Sequence, residues 1–146
     1  MLRNKNPSLR SRLINTKSQI LNHKSQILWY IPAVVLTVGI AVLSLWEYPQ
    51  IPKEIPASDK VLHAIMYALL SIAWISPAAY QRAAKLSTYA LVLVSVSVYG
   101  ALMEILQRFC TLSRSGEMAD LYADFIGAFI GLSLIALCQR LFTTSR

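Results

Sequence analysis

Four apolar segments, each long enough to cross a bilayer, constrain the fold of this chain more than any other feature. They run over residues 27–46, 61–80, 86–109 and 121–139. A helix rises about 1.5 Å per residue, so about 20 apolar residues span the hydrocarbon core. Inside lipid, each segment must satisfy its own backbone hydrogen bonds, which favours helices. We therefore predict an all-α fold, an integral membrane four-helix bundle that occupies residues 27–139.

The composition supports a membrane protein and argues against a nucleic-acid-binding one. Hydrophobic residues make up 55% of the chain and charged residues only 14%, whereas charged residues make up about 25% of a typical soluble domain. The formal net charge is +7, but the basic residues are scattered among apolar runs and form no duplex-binding face. We expect a membrane-lipid environment and no nucleic-acid partner.

The distribution of charged residues predicts the orientation in the membrane. Ten of the 14 Lys and Arg residues lie in an N-terminal arm, in the connection between the second and third segments, or in the C-terminal tail. A bias of Lys and Arg marks the cytoplasmic side, so we predict that both termini are cytoplasmic, with residues 1–26 as a basic arm and 140–146 as a short tail. All seven acidic residues lie towards the opposite, outer side.

The basic arm contains a near-duplicate, in which residues 15–21 are followed by a similar stretch at 22–28. Apolar pairs recur every seven residues, a spacing that keeps them on one face of a helix. A basic amphipathic helix of this kind would lie on anionic lipid at the cytoplasmic surface. A short tandem duplication without a function explains the repeat equally well, and the sequence leaves both interpretations open.

Polar residues and glycines recur at helical spacing in the last three segments, with the polar ones towards the outer end. They are Asp59, Lys60, His63 and Tyr67; Gly100, Glu104, Gln107 and Arg108; and Arg114, Asp120, Asp124, Gly127 and Gly131. Spacings of three and four residues place side chains on one face of a helix. Polar groups at membrane depth are energetically expensive, so several of them in three helices indicate a site. The glycines are typical of close helix packing.

Glu104 is the most informative of these residues because it lies about five residues, roughly 7 to 8 Å, inside the third segment. A carboxylate at that depth is either paired with a cation such as Lys60, Arg108 or Arg114, or it is protonated. An ion pair that only holds the helices together is an alternative explanation.

The order and spacing of these residues resemble the VanZ-like family of small bacterial integral membrane proteins, over residues 57–133. At the position of Asp124 the family usually has Asn, so this chain places a possible charge where an amide is typical. The resemblance implies a four-helix protein of the bacterial cytoplasmic (inner) membrane, in a family named for an association with resistance to the glycopeptide teicoplanin. It implies no established reaction.

Three classes of function follow. In the first, Lys60, Arg108 and Arg114 hold the anionic headgroup of an envelope lipid or peptidoglycan precursor. The candidates for orienting it or moving a proton are His63, Glu104 and Asp120. In the second, the same pocket is a scaffold or binding module without turnover. In the third, His63 and the carboxylates hold a metal ion or a proton; a single histidine makes this the weakest, so we predict no metal or other cofactor. The sequence decides neither catalysis nor the oligomeric state.

Overall fold

The computed structural model describes residues 27–46, 56–81, 84–110 and 118–144. Four helices account for most of them: α1 Ile31–Leu45, α2 Pro56–Tyr80, α3 Leu86–Cys110 and α4 Met118–Thr144. The all-α, four-helix prediction is confirmed for these residues. The N-terminal repeat up to residue 26, the connection at 47–55 and Arg114 lie outside the described residues.

Three of the four helices are long and apolar enough to cross a membrane. These stretches are Asp59–Tyr80, Leu86–Cys110 and Met118–Phe142. The helix α1 has 15 residues, which corresponds to about 22 Å at 1.5 Å per residue and is shorter than the 27–46 segment predicted from hydropathy. A proline in its first turn marks its start, and the residues before it form a separate turn in which Tyr30 N donates to Ile27 O at 3.0 Å.

The surface of the bundle is apolar on the sides of the helices. Large exposed side chains on three different helices include Leu91, Val98, Phe129 and Val35. The small core consists of Ile40, Tyr67, Leu70, Val96 and Ala128. Apolar side chains all round a helix are typical of a segment surrounded by lipid. This distribution supports a membrane protein.

The closest packing is between α2 and α4, and glycines make it possible. A Cβ atom at Gly127 would overlap the backbone of Ala64, and one at Gly131 would overlap Ala68 and the hydroxyl of Ser71. The Ser71 hydroxyl is within hydrogen-bond distance of Ala68 O at 2.9 Å and of Ala128 O at 3.1 Å. Two small residues four apart therefore let the α2 and α4 backbones touch, as the small-xxx-small pattern predicts.

Polar bonds also tie the helices together away from the predicted site. At the end of the bundle where α2 and α4 finish, Tyr89 OH donates to Gln139 Oε1 at 2.7 Å, and Gln139 Nε2 donates to Ala79 O at 2.9 Å. Nearer the middle, Tyr99 OH donates to Thr37 O at 2.6 Å, which attaches α1 to α3. Gln139 of α4 therefore links α3 and α2 at the end of the bundle where α4 finishes.

Candidate functional site

Three helix ends meet at one end of the bundle because consecutive helices run in opposite directions. The N-terminal part of α2 carries His63, the C-terminal part of α3 carries Glu104, and the N-terminal part of α4 carries Asp124. The close approach of α2 and α4 at Gly127, three residues after Asp124, brings the first turns of these helices together. The polar faces predicted for three separate segments thus converge.

The shortest polar contact of the site joins His63 to Asp124. Nδ1 of the imidazole lies 2.9 Å from Oδ1 of the carboxylate. Asp124 is buried, with 1% of its surface exposed. The imidazole also lies parallel to the ring of Tyr67, one turn further along α2, with 6.5 Å between the ring centroids and 5° between the planes. His63 is therefore oriented by a carboxylate and has an aromatic ring beneath it.

Glu104 reaches the same imidazole from the third helix. Its Oε1 lies 4.0 Å from His63 Nδ1, and the residue is buried. From the sequence, the expected cationic partners of Glu104 are Lys60, Arg108 and Arg114, and His63 is not among them. Both His63 and Glu104 lie on the polar faces that the sequence predicts. Spacing within one helix does not show which residues of two helices come into contact, so this pair could not be predicted.

Gly100 lies beside the buried carboxylate. A Cβ atom at this position would be 2.9 Å from Asp124 Oδ2 and 3.1 Å from Cε1 of Tyr67. The sequence predicts a role in helix packing for Gly100 but no particular neighbour. In the structure, Gly100 packs against Asp124, because the missing side chain of the glycine leaves room for the Asp124 carboxylate.

An outer layer of charge lies towards the helix ends. Lys60 Nζ lies 3.6 Å from Asp120 Oδ1, and the lysine side chain is 39% exposed whereas that of Asp120 is 9% exposed. Asp59 is exposed in the first turn of α2. We use the name polar cluster for His63, Glu104 and Asp124 together with Lys60, Asp59 and Asp120.

Four predicted ligand-binding residues are not members of the polar cluster. Tyr67 lies next to it, with its ring parallel to that of His63. The Gln107 amide Nε2 donates to the carbonyl oxygen of Ser44 on α1 at 3.2 Å, so this side chain ties α3 to α1. Arg108 is exposed in the last turn of α3. Arg114 lies in the connection between α3 and α4, outside the described residues.

Two buried carboxylate oxygens lack a hydrogen-bond partner among the described residues. They are Oδ2 of Asp124 and Oδ1 of Asp120; the latter still has the Lys60 ammonium at 3.6 Å. Buried polar atoms are almost always hydrogen-bonded, so an exception invites an explanation. The carboxylates surround one imidazole in two groups with metal-ligand spacing, an inner group of His63, Glu104 and Asp124 and an outer group of Asp59, His63 and Asp120.

The chemistry open to this cluster follows from its side chains. A carboxylate next to an imidazole accepts its proton, orients its ring and, with it, binds cations or hydrogen-bond donors. Within the described ranges, no serine or cysteine side chain contacts His63 as a nucleophile would contact its base. Among the described residues of the polar cluster, four carboxylates face one lysine and one histidine, so these side chains together attract positive charge.

A separate cavity was not anticipated from the sequence. It has a volume of about 340 Å³ and is lined mostly by apolar side chains of α1, α2 and α3, among them Leu70, Trp74 and Val96. Trp74 Nε1 donates to Thr37 Oγ1 at its wall, at 3.2 Å. The residues are unremarkable in a hydrophobic segment, so periodicity contained no signal for this cavity.

Comparison with protein-family models, with curated proteins and with solved structures finds no match to this chain.

Proposed function

We propose that this chain is a VanZ-like protein of the bacterial inner membrane, whose polar cluster lies at the outer face and binds the anionic headgroup of an envelope lipid or peptidoglycan precursor. The observation that carries the proposal is the meeting of His63, Glu104 and Asp124, from three helices, within a bundle that is otherwise apolar. In this proposal α1 completes four spans, both termini are cytoplasmic, and the protein contributes to tolerance of teicoplanin-type glycopeptides.

The energetic cost of the cluster supports a role beyond packing. Placing one charged side chain at the centre of a membrane helix costs about 2.5 to 3.5 kcal/mol on insertion scales. Replacing a buried ion pair by apolar residues of similar volume is often neutral or stabilising. A four-helix bundle in lipid therefore gains little from gathering three buried carboxylates at one end if stability alone is the purpose.

The layered arrangement suits a headgroup that carries both a phosphate and hydroxyl or amine groups. Lys60 is partly exposed in the outer layer, and Arg108 is exposed at the end of α3. In this proposal both approach a phosphate from the membrane surface. The carboxylates accept hydrogen bonds from hydroxyl or ammonium groups. Arg114, which resembles the family arginine, supplies a further cation in this proposal. His63 orients the ligand through its bond with Asp124.

Lipid-dependent stability tests this function. The full chain is placed in nanodiscs of phosphatidylcholine with or without phosphatidylglycerol, and its thermal unfolding is followed by circular dichroism. We expect the anionic lipid to raise the unfolding temperature, because a ligand that binds only the folded state stabilises it. The gain should be lost in Lys60→Gln and Arg108→Gln. It should persist in Lys85→Gln, a matched control that removes an exposed lysine at the opposite end.

The outcome of this experiment separates a site from a charged surface. Equal losses in the Lys60 and Lys85 variants would indicate general attraction between a basic protein and an acidic bilayer, and would contradict the proposal. A scaffold with a purely structural polar network predicts no lipid-dependent gain at all. Release of the phosphorylated headgroup from a precursor lipid in the same preparation would identify an enzyme instead of a binder.

A further inference from the structure

We propose that His63, Glu104 and Asp124 form a binding site for one divalent transition-metal ion of the Zn²⁺ or Mn²⁺ kind. The metal site itself does not depend on the proposed function. The role of the ion does rest on the proposed function: the ion would allow the acidic cluster to bind a phosphate headgroup.

The distances between the three side chains suit a single ion. Nitrogen and oxygen ligands lie about 2.0–2.2 Å from Zn²⁺, so two ligands of one ion are at most about 4.4 Å apart. His63 Nδ1 lies 2.9 Å from Asp124 Oδ1 and 4.0 Å from Glu104 Oε1. The ligand atoms of the three residues all lie within 4.8 Å of one another. A small rotation of one side chain therefore completes the set without movement of a helix.

The buried carboxylate of Asp124 is a second, independent indication of a ligand. Its side chain is 1% exposed and its Oδ1 pairs with His63. The Tyr67 hydroxyl also interacts with this carboxylate, but Oδ2 makes no hydrogen bond of good geometry to a described residue. The Oδ2 atom lies in the space left by the missing side chain of Gly100. A carboxylate that is buried and half-satisfied is costly, whereas a carboxylate that coordinates a cation is not. An ion held by both oxygens of the Asp124 carboxylate would remove this deficit.

The inner group is the better candidate of the two groups that share His63. The Nδ1 atom faces Asp124 and Glu104, both of which are buried. In the outer group, Asp59 is exposed and Asp120 already has Lys60 as a neighbour. An imidazole with carboxylates favours Zn²⁺ or Mn²⁺ over Mg²⁺ and Ca²⁺, which prefer oxygen ligands alone.

The ion would change what the cluster attracts. With Asp124 and Glu104 ionised and His63 neutral, the inner group carries two negative charges, and a divalent cation neutralises them. The ion takes the place of the Nδ1 proton of the neutral imidazole, and that proton moves to Nε2, so that the ring stays neutral. An imidazolium would instead release its Nδ1 proton to solvent. A coordination position not filled by protein is open to a phosphate oxygen. Lys60 and Arg108 would then contact the same phosphate from the outer end of the bundle.

The experiment measures metal binding on the full-length protein. Protein purified in detergent is stripped with EDTA, and Mn²⁺ is titrated while free Mn²⁺ is followed by electron paramagnetic resonance. We expect one ion per chain and competition by Zn²⁺. Replacing a residue that supports a metal ligand typically weakens binding about 10–100-fold, so Glu104→Gln and Asp124→Asn should weaken it by at least about tenfold. Both variants keep the size and shape of the side chain but replace one carboxylate oxygen by an NH2 group, which donates and cannot bind a cation.

A control outside the polar cluster is Lys85→Gln, at the opposite end of the bundle. It removes one exposed charge, and we expect less than about a threefold change in either direction because exposed charges are screened. The visible absorption spectrum of bound Co²⁺ depends on its ligands and not on the stability of the fold. This spectrum should change in His63→Gln. Absence of saturable binding in the wild-type chain, or an effect of Lys85→Gln as large as that of Asp124→Asn, would overturn the inference.

Repeating the phosphatidylglycerol experiment in EDTA distinguishes the two proposals. Metal binding without any lipid-dependent gain in stability would contradict the headgroup function and leave the metal site in place. A lipid-dependent gain that persists in EDTA, in a chain that binds no metal, would overturn the metal site and leave the headgroup function. A gain that requires the metal supports both.

Discussion

Gly100 on α3 faces the carboxylate of Asp124 on α4 so closely that a Cβ atom at position 100 would lie 2.9 Å from Oδ2. The glycine and the aspartate come from different helices and are 24 positions apart in the chain. Their contact shows that the buried carboxylate is accommodated by the shape of the neighbouring helix. The space is also bounded by Tyr67, 3.1 Å from the same Cβ position.

We predict that Gly100→Ala destabilises the protein by about 1 to 3 kcal/mol, the usual effect of inserting a methyl group into a packed region. The measurement is reversible unfolding in mixed detergent micelles. Gly39→Ala is the matched control, because a Cβ there would meet nothing within 4 Å. Alanine is favoured over glycine in a helix by about 1 kcal/mol, so the control should be neutral or stabilising. Equal stability of the two variants would contradict the packing described at Gly100.

We predict a larger effect for Gly127→Ala. The added Cβ would overlap the backbone of Ala64, and a backbone cannot move aside as a flexible side chain does. We expect α2 and α4 to separate, with a loss of 3 kcal/mol or more, beyond the range of about 1 to 3 kcal/mol typical of overpacking. The same unfolding measurement checks this. Because Asp124 is on the same helix face, metal or lipid binding should also fall, whereas a variant that unfolds like the wild type would disprove the tight α2–α4 contact.

We predict an energetic coupling between His63 and Asp124 of about 1 to 3 kcal/mol in a double-mutant cycle. The single variants are His63→Ala and Asp124→Ala, and the short Nδ1–Oδ1 distance of 2.9 Å is the interaction tested. The control cycle combines His63→Ala with Ser133→Ala, since the exposed Ser133 hydroxyl only bonds Phe129 O of its own helix. Additive effects in the first cycle would show that the two side chains do not interact in the folded protein.

We predict that Gln139→Ala lowers stability without changing ligand binding. The side chain accepts a hydrogen bond from Tyr89 and donates one to Ala79 O, at the end of the bundle away from the cluster. Losing a typical hydrogen bond costs about 0.5 to 1.5 kcal/mol, so we expect a loss of about 1 to 3 kcal/mol for the two bonds. Mn²⁺ affinity should stay within about twofold of wild type, because distant sites are nearly independent. A large fall in Mn²⁺ affinity would mean that metal binding depends on the overall stability of the protein and would contradict the prediction.

Much of the fold follows from patterns within single segments. Long apolar runs predicted helices where α2, α3 and α4 occur, since the backbone of a segment in lipid has few alternatives. The start of α1 was less predictable. Hydropathy treats residues 27–46 as one segment, but the structure begins the helix at Ile31, and a proline in the first turn is compatible with that start because its missing N–H has no helical partner there.

Helical periodicity and hydropathy did not predict which residues of different helices contact each other. Gln107 lies on the polar face of α3, as its spacing from Gly100 and Glu104 predicts, yet its amide bonds to Ser44 O of α1. Helical periodicity gives the direction of a side chain around one axis. It does not give the rotation of one helix against another, and that rotation decided that Gln107 meets α1 and that Glu104 meets His63.

By itself, therefore, the sequence determined the helices and the face of each helix that carries Asp59 and His63, Glu104, or Asp120 and Asp124, because these depend on local hydrogen bonding and on a period of 3.6 residues. Only the tertiary structure decided that Nδ1 of His63 lies between two buried carboxylates and that Gly100 makes room for one of them. The physical reason is that these contacts depend on how closely and in which register α2, α3 and α4 pack. That packing is a balance of many small interactions between residues far apart in the chain.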